Sequence, residues 1–477
     1  MDKIILGYDV ITYNGEQPNC LNPKFLNTIH KASDFYFSYS LEFYVKRWNH
    51  HWVLYNSNMY NDYAKKVSIF EIINDRKIGK NYDWFYPVEP FASLENFFGN
   101  SPFYNEFVLN NIPKPTLNEI VNGNGKLLIN YVCDGGEGFT TENFQKIIKF
   151  TKENNIEDKK VFLVFSDFNL KSNLQKLGVN YNVIDYNYNM IGKSQEIYNT
   201  ITREDFSYWG EDSFEPQFGK IRANKNSAVT SNEFLQSIGK ERKDFLMLNR
   251  RWKLHRLFIL SHLYKLGFEN SLISWDNKLS YELDRNEFLK YDNSEDFLNF
   301  ITQTSSVLDV EDLQKISGMG FEDKDIYLNT YLSIVTESIY FQIDKEFPAG
   351  YLSEKIWKPI GHCQPFILVG PANSLEHIRK RFGYKTFHPY IDESYDKEFD
   401  DFKRLEMIKI EIDKFSKKSK EEKDQFLNDV KDICVFNQKL FLQYAENSYG
   451  GVSKHTEIQY ILNFLKGIEI KDNKTLI

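Results

Sequence analysis

The chain has 477 residues, 42% hydrophobic and 16% aromatic, which is too long for one ordinary core and ample for two domains with appendages. A formal net charge of −8 argues against a dedicated nucleic-acid binder, whose affinity comes from neutralising phosphates with a basic surface. Four cysteines, Cys20, Cys133, Cys363 and Cys434, are widely separated and make neither a CxxC pair nor a Cys-His metal spacing, so reduced thiols in a cytosol-like compartment are expected.

Residues 1–9 start as a short strand and lack the long apolar region of a signal peptide. No stretch has the length that spans a bilayer, so a soluble cytoplasmic protein with no membrane partner is expected. From residue 1 to about 120 the chain is aromatic-rich and irregular, with Tyr, Trp, Phe and Asn interleaved over residues 36–107. Core packing accounts for most such rings, a stacking platform for carbohydrate being the other reading. The pattern then becomes orderly: residues 126–132 (KLLINYV), 160–165 and 182–186 read as strands, and residues 141–154 and 170–177 as helices. Strands alternating with helices predict a parallel sheet with right-handed crossovers.

Residues 207–240 turn to Gly, Ser, Asn and Glu with few apolar pairs and read as a linker after an N-terminal α/β domain over residues 1–206. A second α/β domain follows over residues 241–396, with strands at 245–248 (FLML), 272–275, 333–337 and 365–370 (PFILVG), and helices at 257–267, 294–303 and 373–382. Residues 400–416, 420–446 and 454–465 read as helices of a C-terminal helical region over residues 397–477. No internal repeat is visible.

Two segments of the second domain carry chemistry. In the first, Ser353 is a natural N-cap followed by Glu354 and Lys355 in the first helical turn, where partial positive charge favours phosphate. Lys355 is placed to meet phosphate and Glu354 to accept from ribose hydroxyls; a capped helix whose charges face water is the plainer reading. Pro359 lies within that helix and predicts a short one. In the second segment, Arg250, Arg251, Lys253 and Arg256 cluster at a strand-to-helix junction, the edge of a doubly wound sheet where ligands bind. Arg256 is the best candidate for a diphosphate clamp, because a guanidinium grips two oxygens at once.

These segments together resemble the donor-binding half of GT-B glycosyltransferases, most closely the fucosyltransferase-like group. The resemblance rests on Arg256 after FLMLNRR, on Val335-Thr336-Glu337-Ser338 at a strand end, and on Tyr351-Leu352-Ser353-Glu354-Lys355-Ile356-Trp357, and it covers residues 244–396. The chain also resembles uncharacterised glycosyltransferase-like proteins of large-genome phages and other viruses, which share Lys358-Pro359-Ile360 and Gln364-Pro365-Phe366. The resemblance implies two Rossmann-like domains facing across a cleft, with C-terminal helices, and a soluble enzyme, in the host cytoplasm if viral. It implies a nucleotide-sugar donor as co-substrate held by Arg256, Glu354, Lys355, Arg250, Arg251, Glu337, Tyr351 and Ser353, with no essential metal and no other cofactor. The sugar-specific residues do not carry over, so fucose is not implied, and the acceptor is a glycan, a protein or a modified nucleic acid.

Glycosyl transfer with inversion needs a carboxylate to take the acceptor proton and positive charge to stabilise the departing diphosphate. The loop Asp134-Gly135-Gly136-Glu137-Gly138 follows a strand and displays its acids at a carboxyl edge, which makes Glu137, with Asp134 behind it, the candidate base; a simple tight turn is the alternative. Glu337 suits donor hydroxyls or a structural hydrogen bond. Asp323-Lys324-Asp325 has the form of a metal-binding acid motif yet stands in a charge run that reads as a solvated loop, and His51, His255 and His362 share no metal-ligand spacing. A rival to the enzyme is a catalytically inactive GT-B-like binding or virion-associated protein. An epimerase or kinase would call for a Gly-x-Gly-x-x-Gly turn or a Gly-x-x-x-x-Gly-Lys-Ser/Thr phosphate loop, and neither pattern is complete: the Gly192-Lys193-Ser194 triplet has Asn187 where the loop needs its first glycine.

Overall fold

The computed structural model describes residues 4–7, 11–13, 16–19, 70–73, 83–88, 97–98, 107–112, 114–131, 139–185, 228–249, 251–277, 284–306, 324–446 and 463–467, with isolated residues 187, 190, 194, 197–198, 201 and 460. The chain divides into two compact units. Unit 1 is Met1–Tyr188, Gln342–Tyr351 and Ser448–Lys471; unit 2 is Asn189–Phe341, Leu352–Asn447 and Asp472–Ile477.

Unit 1 is built on a six-stranded parallel sheet. Strands β1 (Ile4–Gly7), β4 (Phe70–Ile73), β5 (Trp84–Val88), β6 (Gly125–Tyr131), β7 (Val161–Phe165) and β8 (Asn182–Asp185) stand in the order β4-β1-β5-β6-β7-β8. A separate antiparallel pair joins β2 (Ile11–Tyr13) to β3 (Glu16–Asn19). All five residues of β7 are buried, as an apolar strand covered on both faces requires. Helix α1 (Lys114–Asn122) precedes β6 and α2 (Thr141–Glu153) follows it; α2 is capped by Thr140 and buries Phe144, Ile147 and Ile148 on one side. Helix α3 (Leu170–Lys176) links β7 to β8.

The short strand read over residues 1–9 is β1, and the stretch read as irregular up to about residue 120 also supplies β4 and β5. Strand β5 escapes a pattern search because Pro87 interrupts it and its aromatic residues do not alternate with polar ones. Trp84 pairs with Gly125 of β6, where a Cβ would stand 2.8 Å from the indole, so only glycine fits under that ring.

Unit 2 carries a four-stranded parallel sheet in the order β10-β9-β11-β12, formed by β9 (Lys243–Leu248), β10 (Ser271–Ser274), β11 (Thr330–Thr336) and β12 (Phe366–Val369). Every residue of β11 and β12 is buried. From β9 the chain moves outward to β10 and then returns to the other side of β9 as β11. The carboxyl ends of β9 and β11 thus flank the point where strand order reverses, the position where open α/β sheets bind ligands.

Helix α4 (Ser231–Ser237) opens unit 2 with a capping box between Thr230 and Glu233. It lies within the stretch read as a linker: Val229 N donates to His362 Nδ1, Ser231 Oγ to Gln438 Oε1, and Lys324 pairs with Glu233 at 2.6 Å. Helix α5 (Leu254–Leu266) follows β9 and ends at Gly267, whose φ of +93° suits glycine. It starts three residues before the residue-257 start read from periodicity. Helices α6 (Arg285–Tyr291) and α7 (Glu295–Gln303) come before the short α8 (Asp325–Leu328), and α9 (Glu354–Gly361) precedes β12. After β12, α10 (Ser374–His377) runs into a π-helical turn over Ile378–Phe382. Helix α11 (Asp401–Ser416) packs on α5, and α12 (Lys420–Glu446) packs on α9, where Gln438 Nε2 donates to Gly361 O at 2.6 Å. No helix among the described residues is long and apolar enough to cross a membrane.

Candidate functional site

The carboxyl edge of β11 delivers Glu337 and Ser338 to the reversal point of the unit 2 sheet. Glu337 N donates to Val369 O at 2.9 Å, which extends the β11–β12 pairing one residue and fixes where the side chain leaves the sheet. That side chain is fully buried. Its Oε2 accepts from Ser353 N at 2.9 Å and from Ser353 Oγ at 2.5 Å, while Oε1 has no partner among the described residues. Gly370 lies behind it, where a Cβ would come to 3.3 Å of Glu337 Cγ. Burial raises the Glu337 carboxyl above its usual range, against the opposing pull of Lys355 and the Ser353 hydrogen bonds.

Ser353 does what its sequence position predicts. Its backbone is extended and its hydroxyl accepts from Lys355 N at 3.4 Å, capping α9, while the same hydroxyl donates to Glu337. The helix is eight residues long with Pro359 inside it, as the proline implies. Lys355 Nζ donates to Glu354 Oε1 at 2.7 Å, Ser353 Oγ at 3.2 Å and Ser338 Oγ at 3.3 Å, three acceptors for the three donors of an ammonium. Burial alone would raise the Glu354 carboxyl, but the charge and hydrogen bond of Lys355, with Lys358 nearby, hold it down at about 2. The mouth of α9 therefore carries a cation, a firmly ionised carboxylate and the positive end of a helix within hydrogen-bond reach of one another.

The second sequence segment meets the end of β11, from which Glu337 and Ser338 reach the first. Asn249 follows β9, and its Oδ1 accepts from Thr336 Oγ1 at 2.7 Å. Lys253 Nζ donates to Ser338 O at 2.6 Å. Because α5 starts at Leu254, His255 and Arg256 lie in its first turn and are buried. Arg256 Nη1 donates to Arg251 O at 3.1 Å, and Nη2 to Glu337 O at 3.1 Å and Thr336 O at 3.4 Å. The guanidinium read as a diphosphate clamp thus ties the ends of β9 and β11 together. Arg251 is exposed, and Arg250 lies outside the described residues.

The structure brings Arg256, Glu337, Ser353, Glu354 and Lys355 together. Tyr351 is buried but belongs to the Gln342–Tyr351 segment of unit 1. Asp134 and Glu137 lie outside the described residues, as do Asp323, Cys20, Cys133 and His51. Of the acid motif, Asp325 opens α8 and Lys324 pairs with Glu233. Among the described residues no group of three His, Cys, Asp or Glu side chains could hold a metal ion. Cys363 and Cys434 are buried free thiols, with burial pushing Cys363 up to about 12.

Ser338 and Lys253, present in the two sequence segments without a role of their own, add a hydroxyl and a cation at the end of β11. Sequence reasoning missed one buried acid of unit 1. Asp167, two residues past the carboxyl end of β7 in unit 1, was not singled out at all. Its Oδ1 accepts from Asn169 N and Gly350 N, both at 2.8 Å, and its buried Oδ2 has no partner among the described residues. Burial pushes its carboxyl up to about 7, the hydrogen bonds from Gly350 and Asn169 opposing and the charge of Asp185 adding to the rise.

Comparison with protein-family models, with characterised proteins and with solved structures gives no match.

Proposed function

We propose that the chain is a glycosyltransferase that moves a sugar from a nucleotide-sugar donor to an acceptor, with the donor diphosphate at the mouth of α9. The observation that carries this reading is the convergence of Ser353, Glu354 and Lys355 with Glu337 and Ser338 at the strand-order reversal of a parallel sheet. Helix amides, Lys355 and Lys253 supply donors and positive charge of the kind a departing diphosphate needs. Lys355 exchanges its bond to Glu354 for phosphate oxygen, which frees Glu354 to accept from donor hydroxyls. Arg256 serves by holding the edge in place as well as by its charge. The two α/β units correspond to the two Rossmann-like domains of a GT-B enzyme, and the acceptor base is Glu137, with Asp134 behind it, in the sequence that follows β6. Basic side chains stabilise the leaving group, so no metal is needed for that step.

The test is thermal unfolding of the full chain against uridine, guanosine, adenosine, cytidine and thymidine phosphates with and without attached sugars. A ligand at a hundred times its dissociation constant adds about 2.7 kcal/mol of stability. One nucleotide class should raise the midpoint in the native chain and fail to do so in Lys355→Met. A flat response to the whole panel would overturn the donor site.

A further inference from the structure

The carbonyl of Glu337 is the hub of the candidate site, and it accepts from two side chains of the same helical turn, Arg256 and His255. His255 reaches it through Nε2 at 3.0 Å. A carbonyl can only accept, so Nε2 carries the proton and the tautomer is fixed. The imidazole is held in its plane by the ring of Tyr340, stacked on it at 5.2 Å with 16° between planes. On Tyr340 in turn sits the Arg404 guanidinium of α11, 4.4 Å from the ring centroid. Arg404 is itself buried and tied to Asp401 Oδ1 at 2.6 Å and to Glu398 O at 2.8 Å, and Tyr340 Oη donates to Asp401 O at 3.0 Å. The stack therefore runs without a gap from α11 to the peptide that carries Glu337.

We propose that His255 is a positioning residue for the Glu337 carboxyl, its Nε2–H holding the Glu337 carbonyl so that the side chain meets Ser353 at the start of α9, and that the Arg404–Tyr340 stack sets the angle of the imidazole. The charge environment suits this role. Burial, with the cations Arg256, Lys253 and Arg404 around the ring, lowers the pKa of His255 well below that of a free imidazole, so the ring stays uncharged and keeps one defined donor. The consequence for ligand binding rests on the diphosphate reading above, whereas the positioning itself does not.

The experiment compares the native full chain with His255→Gln, which keeps an N–H donor at the same reach, with His255→Phe, which keeps the stack and loses the donor, and with Tyr340→Leu, which loses the stack. With labelled histidine and glutamate, the imidazole signal missing in His255→Phe should be that of an Nε2–H tautomer and should not titrate near neutral pH. The carboxyl signal missing in Glu337→Gln should titrate above the ordinary range in the native chain and in His255→Gln, and move back towards that range in His255→Phe and Tyr340→Leu. Affinity for uridine or guanosine diphosphate should weaken about threefold to tenfold in the last two variants, the loss of one hydrogen bond, and recover in His255→Gln. If His255→Phe fails to fold, Tyr340→Leu and the histidine titration still decide the matter. An imidazole that titrates as a free histidine, or a Glu337 titration unmoved by loss of the donor and of the stack, would overturn the proposal. If neither diphosphate binds the native chain, the donor reading falls and the two titrations still test the positioning.

Discussion

Asp167→Asn separates the charge of this carboxyl from its hydrogen bonds. The asparagine oxygen can keep the amides of Gly350 and Asn169, while the titrating group disappears. In the native chain burial moves the carboxyl from 3.8 to about 7. Between those values the folded chain keeps a proton that the unfolded chain has released, so stability is highest below the unfolded value, falls as pH rises and levels off above about 7. The full loss is about 4 kcal/mol at 1.36 kcal/mol per unit, of which roughly 2 kcal/mol falls between about pH 5.5 and about pH 8. The assay is urea unfolding of the full chain at both pH values, read by hydrogen exchange of peptides over residues 161–176 and 342–351 so that the signal comes from unit 1. Asp167→Asn should flatten the pH dependence by that amount and gain relative stability at the higher pH. Parallel pH dependences in the two chains would refute a buried, neutral Asp167.

Other substitutions follow from close contacts. Gly350→Ala places a Cβ 2.4 Å from the Phe168 ring and should destabilise unit 1 by about 1–3 kcal/mol, read as a lower unfolding midpoint in the same exchange experiment; an unchanged midpoint would mean that the ring moves freely. Ser353→Ala removes the cap of α9 and one of two donors to the buried Glu337, a loss of about 2 kcal/mol, whereas Ser353→Thr restores the hydroxyl and most of the stability. The alanine variant should also weaken diphosphate binding. Equal stability of the alanine and threonine variants in urea would contradict the cap.

The unit 2 strands were legible because FLML and PFILVG are continuous apolar runs between polar turns, the pattern of a buried parallel strand. The cap at Ser353 and the short α9 were legible for the same local reason. The start of α5 was not, because His255 and Arg256 look like surface residues until their hydrogen bonds to the end of β11 are seen. Nor was the return of the chain into unit 1 at Gln342–Tyr351. That segment is held by Asp344 accepting from Thr141 N at 2.8 Å, by Phe347 stacked on Phe144 at 4.9 Å, and by Gly350 N on Asp167, contacts between residues far apart in sequence. Motif reading places Arg256 at the carboxyl edge of the sheet but does not show that its Nη1 and Nη2 donate to backbone carbonyls there.

The most direct test of glycosyl transfer is release of nucleoside diphosphate from the nucleotide sugar that stabilises the native chain, compared with Lys355→Met and Glu137→Gln. Release is expected, with transfer to water or an added acceptor, and it should fall by at least about a hundredfold in each variant. Tight binding with no release, or release indifferent to Lys355, would contradict it and favour a GT-B-like scaffold that binds without turnover.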